Sequence, residues 1–227
     1  MNRKLFLISN FTDNFKDYAA RFVEAAGGKE AKIVYLMQGG KDWEKYYLQY
    51  KEVFQKSGPI DFFPIYPDEE YEFEPEMIKR LKSATGIFVG GGHTFRYIRA
   101  YAESELTPII QKKYRAGIPY GGLSAGAIIT VRMGMLKKII LKPHFSQQNR
   151  FFELQKKLKN SKAKFGLGLD DGIWLEIEDE TEGTICGKGS CYYCYKKAGK
   201  GFEFKIYHPG DKIAFKPKEK EAAGEGK

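Results

Sequence analysis

Short, unbroken apolar runs alternate with helix-periodic stretches through the first half of this chain, and that alternation restricts its fold more than any other feature. Lys4 to Ser9 (Lys-Leu-Phe-Leu-Ile-Ser), Lys32 to Met37 (Lys-Ile-Val-Tyr-Leu-Met) and Gly86 to Val89 have no polar face. Strands read this way when both faces of a parallel sheet are covered. Ile60 to Tyr66 is a weaker strand. Asp13 or Asn14 can cap a helix to about Ala26, with Phe15, Tyr18, Ala19, Phe22 and Val23 on one side and Gly27-Gly28 at its end. Asp42 to Lys56, Pro75 to Lys82, Thr94 to Ala102 and Pro108 to Ala116 read as further helices. The pattern predicts a three-layer α/β fold, a mostly parallel sheet with helices on both faces. After Thr130 the chain turns β-rich. Met135 to Lys142 is strand-like around Ile139-Ile140-Leu141, and Ile173 to Ile177, Thr184 to Tyr195 and Gly201 to Tyr207 read as strands, expected to be antiparallel at the sheet edge. A lysine-rich helix spans about Asn149 to Lys159, and Phe165 to Gly172 reads as a glycine-spaced turn. The 227 residues fit one α/β domain over 1–215, followed by a polar tail over 216–227 that is expected to be disordered.

In open parallel sheets, function gathers at the loops leaving the strands' C-terminal ends. Two glycine-rich turns fall there. One is Gly90-Gly91-Gly92; the other is Gly122-Leu-Ser-Ala-Gly126, a Gly-x-Ser-x-Gly that suits a sharp strand-to-helix turn with Ser124 at its apex. A nucleophilic serine needs a base, a group to orient the base, and donors for the oxyanion. There are three histidines. His208 precedes Pro209-Gly210 in a surface-type turn and His93 follows the triple glycine, whereas His144 ends a buried strand, the better context for a fixed base. No Asp or Glu lies between Ser124 and His144, so the Ser…acid…His order of α/β-hydrolases is ruled out in that interval. Among later acids Glu153 sits on the lysine-rich helix, while Asp170-Asp171 occupy a turn entering a strand. Asp171 is favoured, with Glu176 and Glu178 as the alternatives. The Ala125 amide and the glycine turn can supply the oxyanion donors.

Composition narrows the other classes. Net charge is +9, from 38 basic and 29 acidic residues, but the lysines are dispersed and no nucleic-acid motif accompanies them, so no nucleic-acid partner is expected. No stretch approaches the ~20 apolar residues of a membrane-spanning helix. The first residues lack the core and cleavage site of a signal peptide, which predicts a cytoplasmic protein. Three cysteines, Cys186, Cys191 and Cys194, fit reduced strand residues; a zinc site would need His208 as fourth ligand, and Cys191 and Cys194 would face opposite sides of a strand. Gly183-Thr-Ile-Cys-Gly-Lys-Gly189 has three residues between its first glycines where a P-loop has four, and Gly where Ser or Thr must hold magnesium.

The motifs taken together resemble the dipeptidase E and cyanophycinase family of serine peptidases, whose fold is like that of class I glutamine amidotransferases. Phe88-Val-Gly-Gly-Gly-His-Thr-Phe95 is similar to the family's Gly-Gly-Gly-Asn-Thr-Phe loop, with His93 in place of the Asn. Gly122 to Ala127 resembles its nucleophile turn, Pro143-His-Phe-Ser146 its histidine segment, and Leu169-Asp-Asp-Gly-Ile-Trp174 its Glu-Gly-x-Trp turn. The resemblance implies Ser124 as nucleophile, His144 as base, Asp171 as orienting acid, and Gly91 or Gly92 with Ala125 as oxyanion donors. It implies substrate contacts from His93 and Thr94, and from Arg150, the one arginine in a stretch that is arginine-rich in the family. The expected activity is hydrolysis of short peptides, with relaxed or altered preference for an N-terminal aspartate and no metal or organic cofactor. A homodimer is carried as an expectation. The competing expectation is a non-catalytic member that binds a peptide or amino-acid-like ligand in the same pocket.

Overall fold

The computed structural model describes residues 2–197 and 201–215, so the tail over 216–227 lies outside the described residues. In chain order the elements are β1 (Lys4–Ile8), α1 (Phe15–Ala25), β2 (Lys32–Leu36), α2 (Trp43–Gln55), β3 (Asp61–Ile65), α3 (Pro75–Ser83), β4 (Gly86–Val89), α4 (Thr94–Tyr97), α5 (Leu106–Arg115), β5 (Tyr120–Leu123) and α6 (Ala125–Arg132). Then come β6 (Ile139–Pro143), α7 (Phe151–Lys159), β7 (Phe165–Leu169), β8 (Ile173–Glu178), β9 (Glu182–Gly187), β10 (Cys191–Lys197), β11 (Gly201–Tyr207) and β12 (Lys212–Ala214).

The strands form two sheets. An eight-stranded sheet runs β12-β9-β8-β1-β5-β4-β2-β3, parallel from β1 to β3 and antiparallel beyond it. A four-stranded sheet runs β11-β10-β7-β6. The fold class read from the sequence is therefore right: a mixed α/β protein with a mostly parallel central sheet. Strand by strand, side chains alternate between two cores. Leu5 and Leu7 of β1 enter one, together with Val34, Leu36, Ile87 and Val89; Phe6 and Ile8 enter the other, together with Ile33, Tyr35 and Phe88. Both faces are buried, which is why the runs carried no polar positions. The α1 and α2 side is aromatic. The Phe88 ring, fully buried, lies within 5.0 to 6.3 Å of the Phe15, Tyr18, Phe22, Tyr35, Tyr50 and Phe54 rings. Phe88→Ala should cost about 3–5 kcal/mol, because six surrounding rings cannot all close on the cavity; urea unfolding measures it, and a loss below ~1 kcal/mol would mean the rings repack.

Four expectations are corrected. Phe165 to Leu169 is strand β7, not a turn; its glycines lie where neighbouring side chains cross the sheet, and a Cβ on Gly166 would meet Leu154 of α7. The β-rich third does not simply extend one sheet edge. Strands β6, β7, β10 and β11 form the separate second sheet, and β6 pairs with β7 in parallel. Thr184 to Tyr195 is two strands, β9 and β10. Thr94 to Ala102 is α-helical only to Tyr97, and Ile98–Ala102 continue as a wider π turn. Cys191 and Cys194 do face opposite sides of β10, one in the core between the sheets and one under α7.

Lys142 on β6 is buried beneath α7 and ion-paired to Glu153, with Lys157 nearby. Burial pulls its ammonium from the ordinary 10.5 down to about 8, with Glu153 opposing the shift and Lys157 adding to it. The unfolded chain therefore binds more protons between pH 8 and 10.5, and this group's contribution to stability rises with pH across that window. Lys142→Met, which keeps the stem and removes the charge, should stabilise the fold by about 1 kcal/mol at pH 7. The gain should shrink towards pH 10; urea unfolding at both pH values checks the sign.

Candidate active site

Strand register brings the predicted residues to one edge. Ile8 of β1 is level with Leu123 of β5 and with Trp174 of β8, so Ser9, Ser124 and the turn before β8 emerge side by side. Pro143 of β6 is level with Leu169 of β7, which sets His144 beside Asp170 and Asp171. Val89 is level with Gly122, placing the Gly90 turn against Ser124.

Ser124 joins β5 directly to α6. Its backbone has φ 49° and ψ −104°, a conformation L side chains rarely adopt. Three bonds impose it. The Ser124 N–H donates to Ile8 O at 2.9 Å, Gly126 N–H donates to Gly90 O at 3.1 Å, and Ser124 O accepts from Ile128 N–H at 3.0 Å. The turn is tight enough that a Cβ on Gly122 would stand 2.6 Å from the Gly126 carbonyl.

From Ser124 a polar chain runs inward. Ser124 Oγ is 3.0 Å from His144 Nε2, and His144 Nδ1 is 2.7 Å from Asp171 Oδ1. A carboxylate only accepts, so Nδ1 carries the proton and Nε2 is left to accept from the serine hydroxyl. Asp171 is itself held: the Ser9 Oγ–H, shared with Leu169 O at 3.0 Å, reaches Oδ1 at 3.1 Å, and Asn10 Nδ2–H donates to Oδ2 at 3.1 Å. The Ser9 hydroxyl also accepts the His144 backbone N–H at 2.8 Å, so one side chain ties base and acid together. His144 has φ 53°, a second left-handed residue at the same edge.

The N–H groups of Gly91, Gly92 and Ala125 have no partner among the described residues, while Gly90 N–H and His93 N–H are taken by Leu36 O and Gln38 Oε1. Asp170, by contrast, accepts the Ser146 N–H at 2.9 Å and shapes the loop. The alternative acids lie elsewhere: Glu176 accepts from Arg21 and, at 3.0 Å, from Trp174, and Glu178 pairs with Lys4.

Residues 5–185 match peptidase family S51. The chain belongs to that family. It is a serine-type peptidase. It is 26% identical over 251 residues to the Peptidase E of a Nostoc species, spanning 95% of this chain and 97% of that one. To the cyanophycinase of Geminocystis herdmanii it is 22% identical over 199 residues, spanning 77% of this chain and 73% of that one. The fold resembles that of a peptidase from an acI-B1 actinobacterium, with a TM-score of 0.71 at 17% identity over 94% of this chain and 97% of the other.

In this S51 peptidase, Ser124 and His144 line a cavity of about 480 Å³ with Asn10, Gln38, Lys41, Asp42, Gly91, Gly92 and Arg96, and with an aromatic wall. Among the residues expected to touch substrate, His93 is exposed and stands 5.9 Å from the Phe95 ring, Thr94 opens α4, and Arg150 bonds Gln148 at 2.9 Å and lies 3.9 Å from Glu153. None of the three is part of the cavity wall. Lys41 and Arg96 are its cations. Ser9, Asn10 and Gln38 were missed in the sequence, although Ser9-Asn10 directly follow β1 and Gln38 follows β2, and those positions are where such sheets collect function.

A second cavity, about 430 Å³, lies at the opposite ends of the strands between Arg3, Arg115, Lys138 and Lys164. It contains none of the polar chain.

Proposed function

We propose that this peptidase hydrolyses short peptides with Ser124 as nucleophile, His144 as general base and Asp171 as the acid that orients it, Ser124 sitting on a nucleophile elbow. The observation that carries the reading is the unbroken chain from Ser124 Oγ through His144 at 3.0 Å to Asp171 at 2.7 Å. Ser124 Oγ attacks the scissile carbonyl carbon as its proton passes to Nε2. The oxyanion that forms is met by the unspent N–H of Ala125 and that of Gly91 or Gly92, fixed donors that need no reorganisation as charge develops. The imidazolium, stabilised by Asp171, then protonates the leaving amine, and the ester left on Ser124 is hydrolysed by water through the same groups. No step requires a metal or organic cofactor. A cavity of about 480 Å³ suits a peptide of a few residues rather than a long chain.

Substrate contacts are assigned to the cavity residues Gln38, Lys41 and Arg96. Arg150, engaged with Gln148 and Glu153, is better read as a loop brace. A fluorophosphonate probe tests the reading, since only an activated serine reacts with it. Mass spectrometry should find the adduct on Ser124, and an unlabelled Ser124 would overturn the assignment.

A further inference from the structure

The cavity that holds Ser124 and His144 has a wall of tyrosines. Tyr35 from β2, Tyr50 from α2 and Tyr97 from α4 line it, with Tyr46 at the rim. The Tyr97 hydroxyl is engaged, donating to Gly91 O at 3.2 Å. Tyr35 and Tyr50 differ. They are only 2% and 7% exposed, yet neither hydroxyl has a hydrogen-bond partner among the described residues. Every sealed-in side-chain oxygen and nitrogen among those residues is partnered, so these two oxygens open into the cavity. Packing fixes where they point. The Tyr35 ring lies 5.0 Å from that of Tyr50 and 5.3 Å from that of Phe88, and the Tyr50 ring lies 5.6 Å from those of Phe15 and Phe88.

Two immobile phenols without a protein acceptor are groups left for a ligand. Burial holds both well above the usual phenol range, so each is a neutral hydroxyl that can donate once and also accept. The cavity's cations, Lys41 and Arg96, are exposed, and the inner wall of Tyr35, Met37, Tyr50, Tyr97 and Leu123 carries no charge. A carboxylate pressed against that wall would shed its hydration without a counter-charge. An isobutyl group would leave both hydroxyls unpaired. A carboxamide satisfies both, its C=O accepting from one phenol and its NH₂ donating to the other.

We propose that Tyr35 and Tyr50 form a subsite for the carboxamide side chain of a residue flanking the bond that Ser124 cleaves, so that asparaginyl peptides are preferred over their aspartyl and leucyl isosteres. The proposal rests on the peptidase reading above, and its test separates the two. Asn-Leu, Asp-Leu and Leu-Leu, with the reversed Leu-Asn and Leu-Asp, are compared by kcat/KM on the wild type, Tyr35→Phe and Tyr50→Phe. The same dipeptides are compared by calorimetric binding to Ser124→Ala. The Asn peptide should lead the Leu peptide by about tenfold or more, and each Phe variant should lower that ratio by about tenfold, through KM and Kd. Equal handling of the three side chains, a lead for Asp, or an equal loss on all substrates in the Phe variants overturns the subsite. If the wild type turns over none of them while Ser124→Ala still binds the Asn peptide most tightly, the nucleophile reading fails and the subsite stands.

Discussion

Ser124→Ala should lower kcat for short-peptide hydrolysis by on the order of 10⁵–10⁶, with KM little changed, because only the covalent route is lost while the oxyanion donors and the cavity remain. What residual rate survives measures those donors alone. A companion variant separates chemistry from strain. Ser124 holds φ 49° and ψ −104°, which costs a non-glycine residue about 1–3 kcal/mol. Ser124→Gly removes both hydroxyl and strain, so it should be as inactive as Ser124→Ala and more stable than it by about 1 kcal/mol after the entropic cost of glycine is counted. Urea unfolding of the two variants side by side reads the difference. Retained turnover in either variant would sink the nucleophile assignment; equal stability would sink the strain argument.

Asp171→Asn should lower kcat by about 10⁴, through the wrong imidazole tautomer and the loss of the charge that stabilises the imidazolium. The surroundings of Asp171 leave the amide no good orientation. Oδ1 faces the Ser9 hydroxyl and His144 Nδ1, and Oδ2 faces the Asn10 amide at 3.1 Å. An NH₂ on the first side meets Nδ1 and forces Nε2 to carry the proton, which removes the acceptor for Ser124. On the second side it meets a donor, and turning the Asn10 amide over would break the 2.8 Å bond that Asn10 Oδ1 accepts from Phe11 N–H. Glu176→Gln is the control. That carboxylate is held by Arg21 and Trp174 and touches neither His144 nor Ser124, so its loss should change kcat less than tenfold. A smaller effect at Asp171 than at Glu176 would reassign the acid.

The parallel half of the fold was legible because burial on both faces leaves an unmistakable mark: Leu5, Phe6, Leu7 and Ile8 are all core residues, split between two clusters. The β-rich third was less so. Phe165-Gly-Leu-Gly-Leu169 looks like a turn because glycine is the usual sign of one, but here the glycines make room for the Leu154 and Phe145 side chains crossing the strand. That cause lies on other elements and leaves no local trace. The family resemblance made Arg150 a candidate substrate cation, yet it bonds Gln148 and lies beside Glu153 outside the cavity wall, and the arginine of that wall is Arg96, on α4. Ser9 was invisible for a different reason: a lone serine after a strand has no signature, and its meaning comes from contacts to residues 135 and 162 positions away.

From the order of its residues alone this protein determined that Ser124 sits at a strand-to-helix turn, that His144 ends a strand, and that no acid lies between the two. Those are local facts, set by backbone preferences and hydrophobic period. The tertiary structure decided that the three meet across two sheets. Ser124 leaves β5 of the large sheet, His144 leaves β6 of the small one, and Asp171 lies in the turn by which β7 of the small sheet hands over to β8 of the large one. It also set Asp171 rather than its neighbour against the imidazole, since adjacent side chains point apart and Asp170 is spent on the Ser146 N–H. Pairing register between strands distant in sequence governs such distances, and no single strand's residues encode it.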